Sequence, residues 1–202
     1  MEKFVCKIDP KIIYDLNNQI SKNRIINWAP DYNDQAGISF DDLSYILDYW
    51  KNKFSWTNEE EKLNKFNQYV FQYDNVKTHF LHIKSNHKNS IPLLLIHGWP
   101  GSIFEFNDLI PLLTSPDKND LKDHLAFDLI IPSLPNVGFS FSPKQKPLDL
   151  NEISKHFIKL MKTLDYQKYF IQGGDLGSFI ASIMAVNVPK EVMGIHLNLL
   201  PL

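Results

Sequence analysis

This sequence predicts an α/β fold: a mainly parallel sheet packed in three layers with helices, behind an N-terminal helical segment. Three observations predict it. From residue 76 onward, apolar runs of strand length alternate with longer amphipathic runs. One transition, Tyr169-Phe170-Ile171 into Gln172-Gly173-Gly174-Asp175-Leu176-Gly177-Ser178, has the order strand, glycine turn, helix, with Leu176, Phe179, Ile180, Ile183 and Met184 at helical spacing. The first roughly 70 residues carry helix caps and aromatic side chains but no strand pattern. The expected division is a helical domain over residues 1–75 and a sheet domain over residues 76–202.

Asp9-Pro10 supplies an N-cap and a proline at the first helical position. Ile12, Ile13, Leu16 and Ile20 then mark one apolar face. The stretch from Trp28-Ala29-Pro30-Asp31 to Gly37 reads as loop. A second helix follows Ser39, with Leu43, Ile46, Leu47, Trp50 and Phe54 on one side, and Thr57 to Glu60 fits a capping box for a third. Strands are expected to begin near Val76, the first being antiparallel over Val76–Ile83. Pro92 to Ile96 and Phe127 to Ile131 are continuous apolar runs, as in strands buried on both faces. A helix with Ile103, Phe106, Leu109, Ile110 and Leu113 follows the first of these; a polar insert over residues 114–122 reads as surface loop. Asn151 is the expected cap of a helix with Ile153, Phe157, Leu160, Met161 and Leu164 inward. The strand into Asp175, its helix to about Asn187, and a last strand over Gly194 to Asn198 close the chain.

The bulk numbers narrow the function classes. At 202 residues and 44% apolar composition, the chain can bury a real core. A net charge of −2 gives no electrostatic case for nucleic acid or an anionic membrane. No apolar run reaches the roughly 18 residues of a membrane helix, and Met1-Glu2-Lys3-Phe4-Val5 lacks a signal-peptide core. Cys6 is the only cysteine, so no internal disulfide forms. A cytoplasmic protein is the expectation. His79, His82 and His87 form a loose set, but no cysteine or acidic partner stands at ligand spacing; no metal and no cofactor are expected.

The glycine turn carries the chemistry. A sharp strand-to-helix turn can hold a reactive side chain above a sheet, and Gly173 and Gly177 would leave room for it. The apex residue is Asp175. A carboxylate with an ordinary pKa of about 3.9 is ionised at neutral pH and needs no base to become a nucleophile. Its attack on an sp³ carbon gives an alkyl ester that water must cleave, which suits epoxide opening or carbon–halogen displacement. The competing interpretation is a plain glycine-rich turn with Asp175 as a solvated helix cap. A second turn, His97-Gly98-Trp99-Pro100-Gly101-Ser102, follows the Pro92–Ile96 run and could aim backbone N–H groups above the sheet. There His97 is either a loop-fixing residue or a general base, and Trp99 either packs in the core or lines a pocket. Pro132 to Ser140 is a third connection at a strand's carboxyl end, a position where open α/β sheets hold ligands.

Taken in order, His97-Gly98-Trp99-Pro100-Gly101-Ser102, Pro132 to Ser140 and Gly173-Gly174-Asp175-Leu176-Gly177 resemble the motifs of the microsomal-type epoxide hydrolases, including the juvenile-hormone epoxide hydrolases. Trp28-Ala29-Pro30-Asp31, Asp48-Tyr49-Trp50-Lys51, Asn64-Lys65-Phe66 and Gly194-Ile195-His196-Leu197-Asn198 extend the likeness over essentially the whole chain. The resemblance implies an α/β-hydrolase core with Asp175 as nucleophile and the backbone N–H groups of Trp99 and Leu176 as oxyanion hole. His97, Gly98, Pro100, Gly173, Gly174 and Gly177 would shape the surrounding loops, and the substrate would be a small lipophilic epoxide opened to a diol. Leu176 stands where the family usually has Trp, and Asn136-Val137 where it usually has Gly-Tyr. In the family the lid tyrosines, the general-base His and its acidic partner follow the last strand seen here. No residue of this chain is assigned to those roles; His196 matches a strand position. The expected core is therefore cut short after that strand, leaving an apolar edge open to self-association or to a complementing chain. Two other functions compete. A dehalogenase would place Trp after the nucleophile and Asn after His-Gly, where Leu176 and Trp99 stand. A non-catalytic binding protein is the other.

Overall fold

The computed structural model describes residues 1–24, 26, 37–116 and 125–200. The expected loop over 28–36 and most of the polar insert over 114–122 lie outside the described residues. The chain forms two compact units, one of residues 6–65 and one of residues 1–5 with 66–202.

The smaller unit is helical. Helix α1 (Pro10–Lys22) starts where Asp9 accepts from the Lys11 N–H, and α2 (Phe40–Asn52) where Ser39 accepts from the Asp42 N–H. The cap of α3 (Trp56–Leu63) is Ser55, accepting from the Asn58 N–H, rather than Thr57. Thr57 is already in the first turn, and Ser55 is the residue with extended backbone that a cap requires. The Asn64 side chain grips the Cys6 backbone, accepting from its N–H at 2.9 Å and donating to its carbonyl at 2.8 Å.

The larger unit is one seven-stranded sheet in the order β1-β2-β3-β5-β4-β6-β7. Its strands are β1 (Glu2–Phe4), β2 (Gln68–Tyr73), β3 (Val76–Ile83), β4 (Ile91–Ile96), β5 (Phe127–Pro132), β6 (Tyr169–Gly173) and β7 (Val192–Leu197). Strands β4 to β7 are parallel, and β1, β2 and β3 join antiparallel. The expectation that strands begin near Val76 is corrected: β1 and β2 precede it. Asp74 and Asn75, at φ 49° and 62°, make the tight turn that folds β2 back on β3.

Helices α5 (Leu150–Thr163) and α6 (Leu176–Asn187) cover one sheet face. Leu94, Ile96, Ile130 and Ile171 meet Phe157, Leu160, Met161, Ile180 and Met184 there. Each such side chain contributes about 1.5–3 kcal/mol when fully removed from water. The cap of α5 is Asp149, in a reciprocal box with Glu152, and not Asn151, which falls inside the first turn. On the other face the expected single helix after Ser102 is a 3-10 turn, Ile103–Phe106, followed by a short α4 (Leu109–Thr114). Leu93 and Leu95, alternating with the core residues of β4, face that side. Between α4 and β7 they floor a trough of about 750 Å³, lined also by Phe106, Leu109, Phe170 and Ile195.

Candidate active site

Strands β4 and β6 are parallel neighbours, and their last residues, Ile96 and Gly173, pair in register. The two glycine turns therefore leave the sheet side by side at its carboxyl edge. Asp175 sits between β6 and α6 with φ 50° and ψ −122°, a left-handed conformation that costs a non-glycine residue about 1–3 kcal/mol. The glycines around it allow close approach. A Cβ on Gly173 would strike the Gly177 carbonyl, and one on Gly177 would strike the Ile96 carbonyl. Gly174 differs: a Cβ there would meet only Asn198, at an ordinary 3.7 Å. Ser178, buried behind the turn, donates to the Gly173 carbonyl at 2.7 Å and fastens helix to strand.

Asp175 is exposed, and its carboxylate does not cap α6. Instead Oδ1 accepts the Trp99 N–H at 2.9 Å. That donor first, then the Leu176 N–H, holds the carboxyl below its ordinary pKa. The carboxylate thus makes no capping bond further into α6, while the turn after β4 reaches it at Oδ1 through the Trp99 N–H. Gly98 is what lets them meet: a Cβ there would lie 2.6 Å from the Asp175 Cβ and 2.8 Å from Oδ1. The Trp99 side chain is 64% exposed, so it is a surface-facing group beside the carboxylate and not core packing. Pro100 follows it through a cis peptide bond.

His97 is buried under this loop at 1% exposure. Its Nε2 accepts the Leu134 N–H at 3.0 Å, and its Nδ1 lies 2.8 Å from the Gly98 carbonyl. An Nε2 that accepts fixes the neutral tautomer with the proton on Nδ1. Burial pushes the ring's pKa down, against the opposing pull of the Gly98 carbonyl and Glu105. Both nitrogens are engaged, so His97 fixes the loop and is not a base. His196 lies on β7 opposite Gln172, in the trough wall.

The connection after β5 forms the third side. Asn136, at φ 64°, adopts the left-handed backbone that asparagine tolerates best among non-glycine residues. Beneath it is a buried polar network with no local sequence signal. His79 Nδ1 meets the Ser133 hydroxyl at 2.9 Å and Nε2 meets Gln68 Oε1 at 2.9 Å. The Ser140 hydroxyl accepts the His79 N–H at 3.0 Å and donates to the Ser133 carbonyl at 2.8 Å. Among the described residues no group of three or more His, Cys, Asp or Glu is placed to hold a metal ion.

What the arrangement offers is an ionised, accessible carboxylate with two convergent backbone donors. Comparison with known proteins points the same way. The family model described as epoxide hydrolase N terminus matches residues 1–106, and the alpha/beta hydrolase fold model matches residues 91–199. The chain is 38% identical to epoxide hydrolase 1 of Sus scrofa over 190 residues, covering 92% of this chain and 42% of that protein. It is 33% identical to juvenile hormone epoxide hydrolase 1 of Ctenocephalides felis over 199 residues, covering 97% and 42%. The crystal structure of juvenile hormone epoxide hydrolase from Bombyx mori superposes with a TM-score of 0.86 at 32% identity, over 98% of this chain and 52% of that one. The Aspergillus niger epoxide hydrolase structure does so with 0.84 at 29% identity, over 100% and 52%. The chain thus spans about two fifths of the length of the curated relatives it matches.

Proposed function

The chain belongs to the epoxide hydrolase family, and on that premise we propose that it carries the alkylation half of an epoxide-hydrolysing site. An Asp175 carboxylate oxygen attacks a ring carbon of a small lipophilic epoxide. The carbon–oxygen bond of the strained ring breaks, its oxygen takes a proton from solvent, and a hydroxyalkyl ester of Asp175 results. Water then adds to the ester carbonyl, and the Trp99 and Leu176 N–H groups stabilise the oxyanion as the diol leaves. The observation that carries this reading is the 2.9 Å bond from the Trp99 N–H to Asp175 Oδ1 across two separate glycine turns.

The two steps are unequal. The carboxylate is self-activated, whereas water needs a base, and His97, with both ring nitrogens engaged, is not available as that base among the described residues. General-base help is worth ~10²–10⁴-fold, so ester formation outruns ester cleavage. Incubation with styrene oxide should give a single adduct by intact mass, mapped to Asp175, with little diol. Asp175→Asn should give none. A folded chain that takes up no epoxide, or an adduct that survives Asp175→Asn, refutes the assignment. A dehalogenase is disfavoured by the residue types at the hole: Leu176, directly after Asp175, has no side-chain N–H for a halide, and Trp99 stands where that family places Asn.

The edge of the sheet supports a partner. Strand β7 has no neighbour on its outer side among the described residues, Met193 and Ile195 are 44% and 42% exposed, and the apolar trough opens beside them. Another strand, from a second copy or a complementing chain, would cover this edge. Size-exclusion chromatography should show the isolated chain self-associated; a sharp monomer peak with cooperative melting would count against it. Among the described residues no helix is long and apolar enough to cross a membrane.

A further inference from the structure

We infer that His97 is a positioning residue: its Nδ1–H holds the Gly98–Trp99 peptide so that the Trp99 N–H faces the Asp175 carboxylate. The inference rests on the reading of Asp175 and Trp99 given above and adds what aims the donor.

The argument is geometric. The Gly98 carbonyl and the Trp99 N–H belong to one planar peptide unit and, the bond being trans, point in opposite directions. The carbonyl end is held by His97 Nδ1 at 2.8 Å, and the N–H end reaches Asp175 Oδ1 at 2.9 Å. Fixing one end fixes the other. Something must fix it, because Gly98 has no Cβ to limit rotation of the unit, and none can be added beside Asp175. Nor can the ring turn away. Its far nitrogen accepts the Leu134 N–H at 3.0 Å, and the loop carrying Leu134 is itself tied to β3 through Ser133 and Ser140. The tautomer follows from that bond: Nε2 can accept only when unprotonated, which leaves the proton on Nδ1, where the Gly98 carbonyl requires it. One buried imidazole so links the connection after β5 to the oxyanion donor, without touching the reacting atoms.

The two ring nitrogens can be tested separately. His97→Asn places an amide N–H₂ near the Nδ1 position and keeps a donor for Gly98, but leaves Leu134 without its acceptor. His97→Gln reaches the Nε2 position and keeps the Leu134 bond, but leaves the Gly98 carbonyl free. The first readout is the amide proton shift of Trp99 by NMR, which reports its bond to a carboxylate whether or not any epoxide reacts. The expected result is a Trp99 shift retained in His97→Asn and lost in His97→Gln. The second readout is the decay of the preformed styrene oxide adduct at pH 8. Loss of one aimed oxyanion donor slows such a step ~10²–10³-fold, so His97→Gln should slow by that factor while His97→Asn stays within a few-fold of wild type. A Trp99 shift kept in both variants, or lost in both, overturns the inference, because a merely structural role would track melting temperature and not the choice of nitrogen. If His97→Gln does not fold, folded His97→Asn decides alone: a retained shift supports the inference and a lost one overturns it. If the wild-type chain forms no adduct, the nucleophile assignment fails, and the Trp99 shift still judges His97.

Discussion

Acidifying this protein from pH 7 to pH 5 should remove roughly 4 kcal/mol of stability, through two histidines folded in their neutral form. Burial holds His79 and His156 at a pKa of about 4 each, against 6.5 in the unfolded chain, with Lys77 adding to the shift at His79. A histidine whose folded pKa is lowered binds fewer protons folded than unfolded between those two values. Stability therefore rises with pH across that window, is complete above 6.5, and is lost as pH falls toward 4. Integrating the difference gives about 2 kcal/mol per histidine between pH 7 and pH 5. His82 and His97 are lowered too and act in the same direction. The depressed carboxyls of Asp175 and Glu152 titrate below this window. The assay is urea unfolding at both pH values and constant ionic strength, repeated on His156→Gln, which should show about half the drop. A stability that is flat or rising on acidification would refute the claim that these rings are buried neutral.

Two further outcomes test the packing. Gly98→Ala should slow decay of the preformed styrene oxide adduct by about 10², because the new methyl group displaces the Trp99 oxyanion donor from Asp175; Gly174→Ala, with only Asn198 at 3.7 Å to meet, should decay at the wild-type rate. Comparing decay rates by intact mass separates them, and equal rates would show that the close approach at Gly98 does not matter. Phe157→Ala empties a fully buried position between α5 and the sheet and should cost about 3–5 kcal/mol, read as a fall in the urea midpoint without a change in slope.

What could be read in the sequence was local, and what could not be read was not. Asp9 and Ser39 announce helix starts because a cap and its N–H partner lie within three residues of each other. The glycine turn at Asp175 is legible for the same reason: its strand, bend and helix are contiguous. Strand β1 is three residues long and is a strand only because β2 lies beside it much later in the chain, with Glu2 opposite Val70. Strand β2 hid behind Gln68, a polar residue whose burial makes sense only once His79 is seen to meet it. The two bonds of His97 show both cases in one ring. Its tie to Gly98 is one residue away and could be guessed as loop-fixing, but its tie to the Leu134 N–H spans 37 positions and needed the fold.

The choice of residue at the bend follows from how the site is held. A serine on the same turn would need a base from elsewhere before it could attack. Asp175 needs only to stay ionised, and the two N–H groups that lower its pKa do that with backbone alone. Those donors are backbone groups, so a change of side chain at Leu176 or Trp99 leaves them in place. What does displace them is a change in peptide orientation. The sensitive positions are therefore those that set the direction of an N–H: Gly98 by what it lacks, His97 by what it holds, and Gly177 by letting α6 begin against β4.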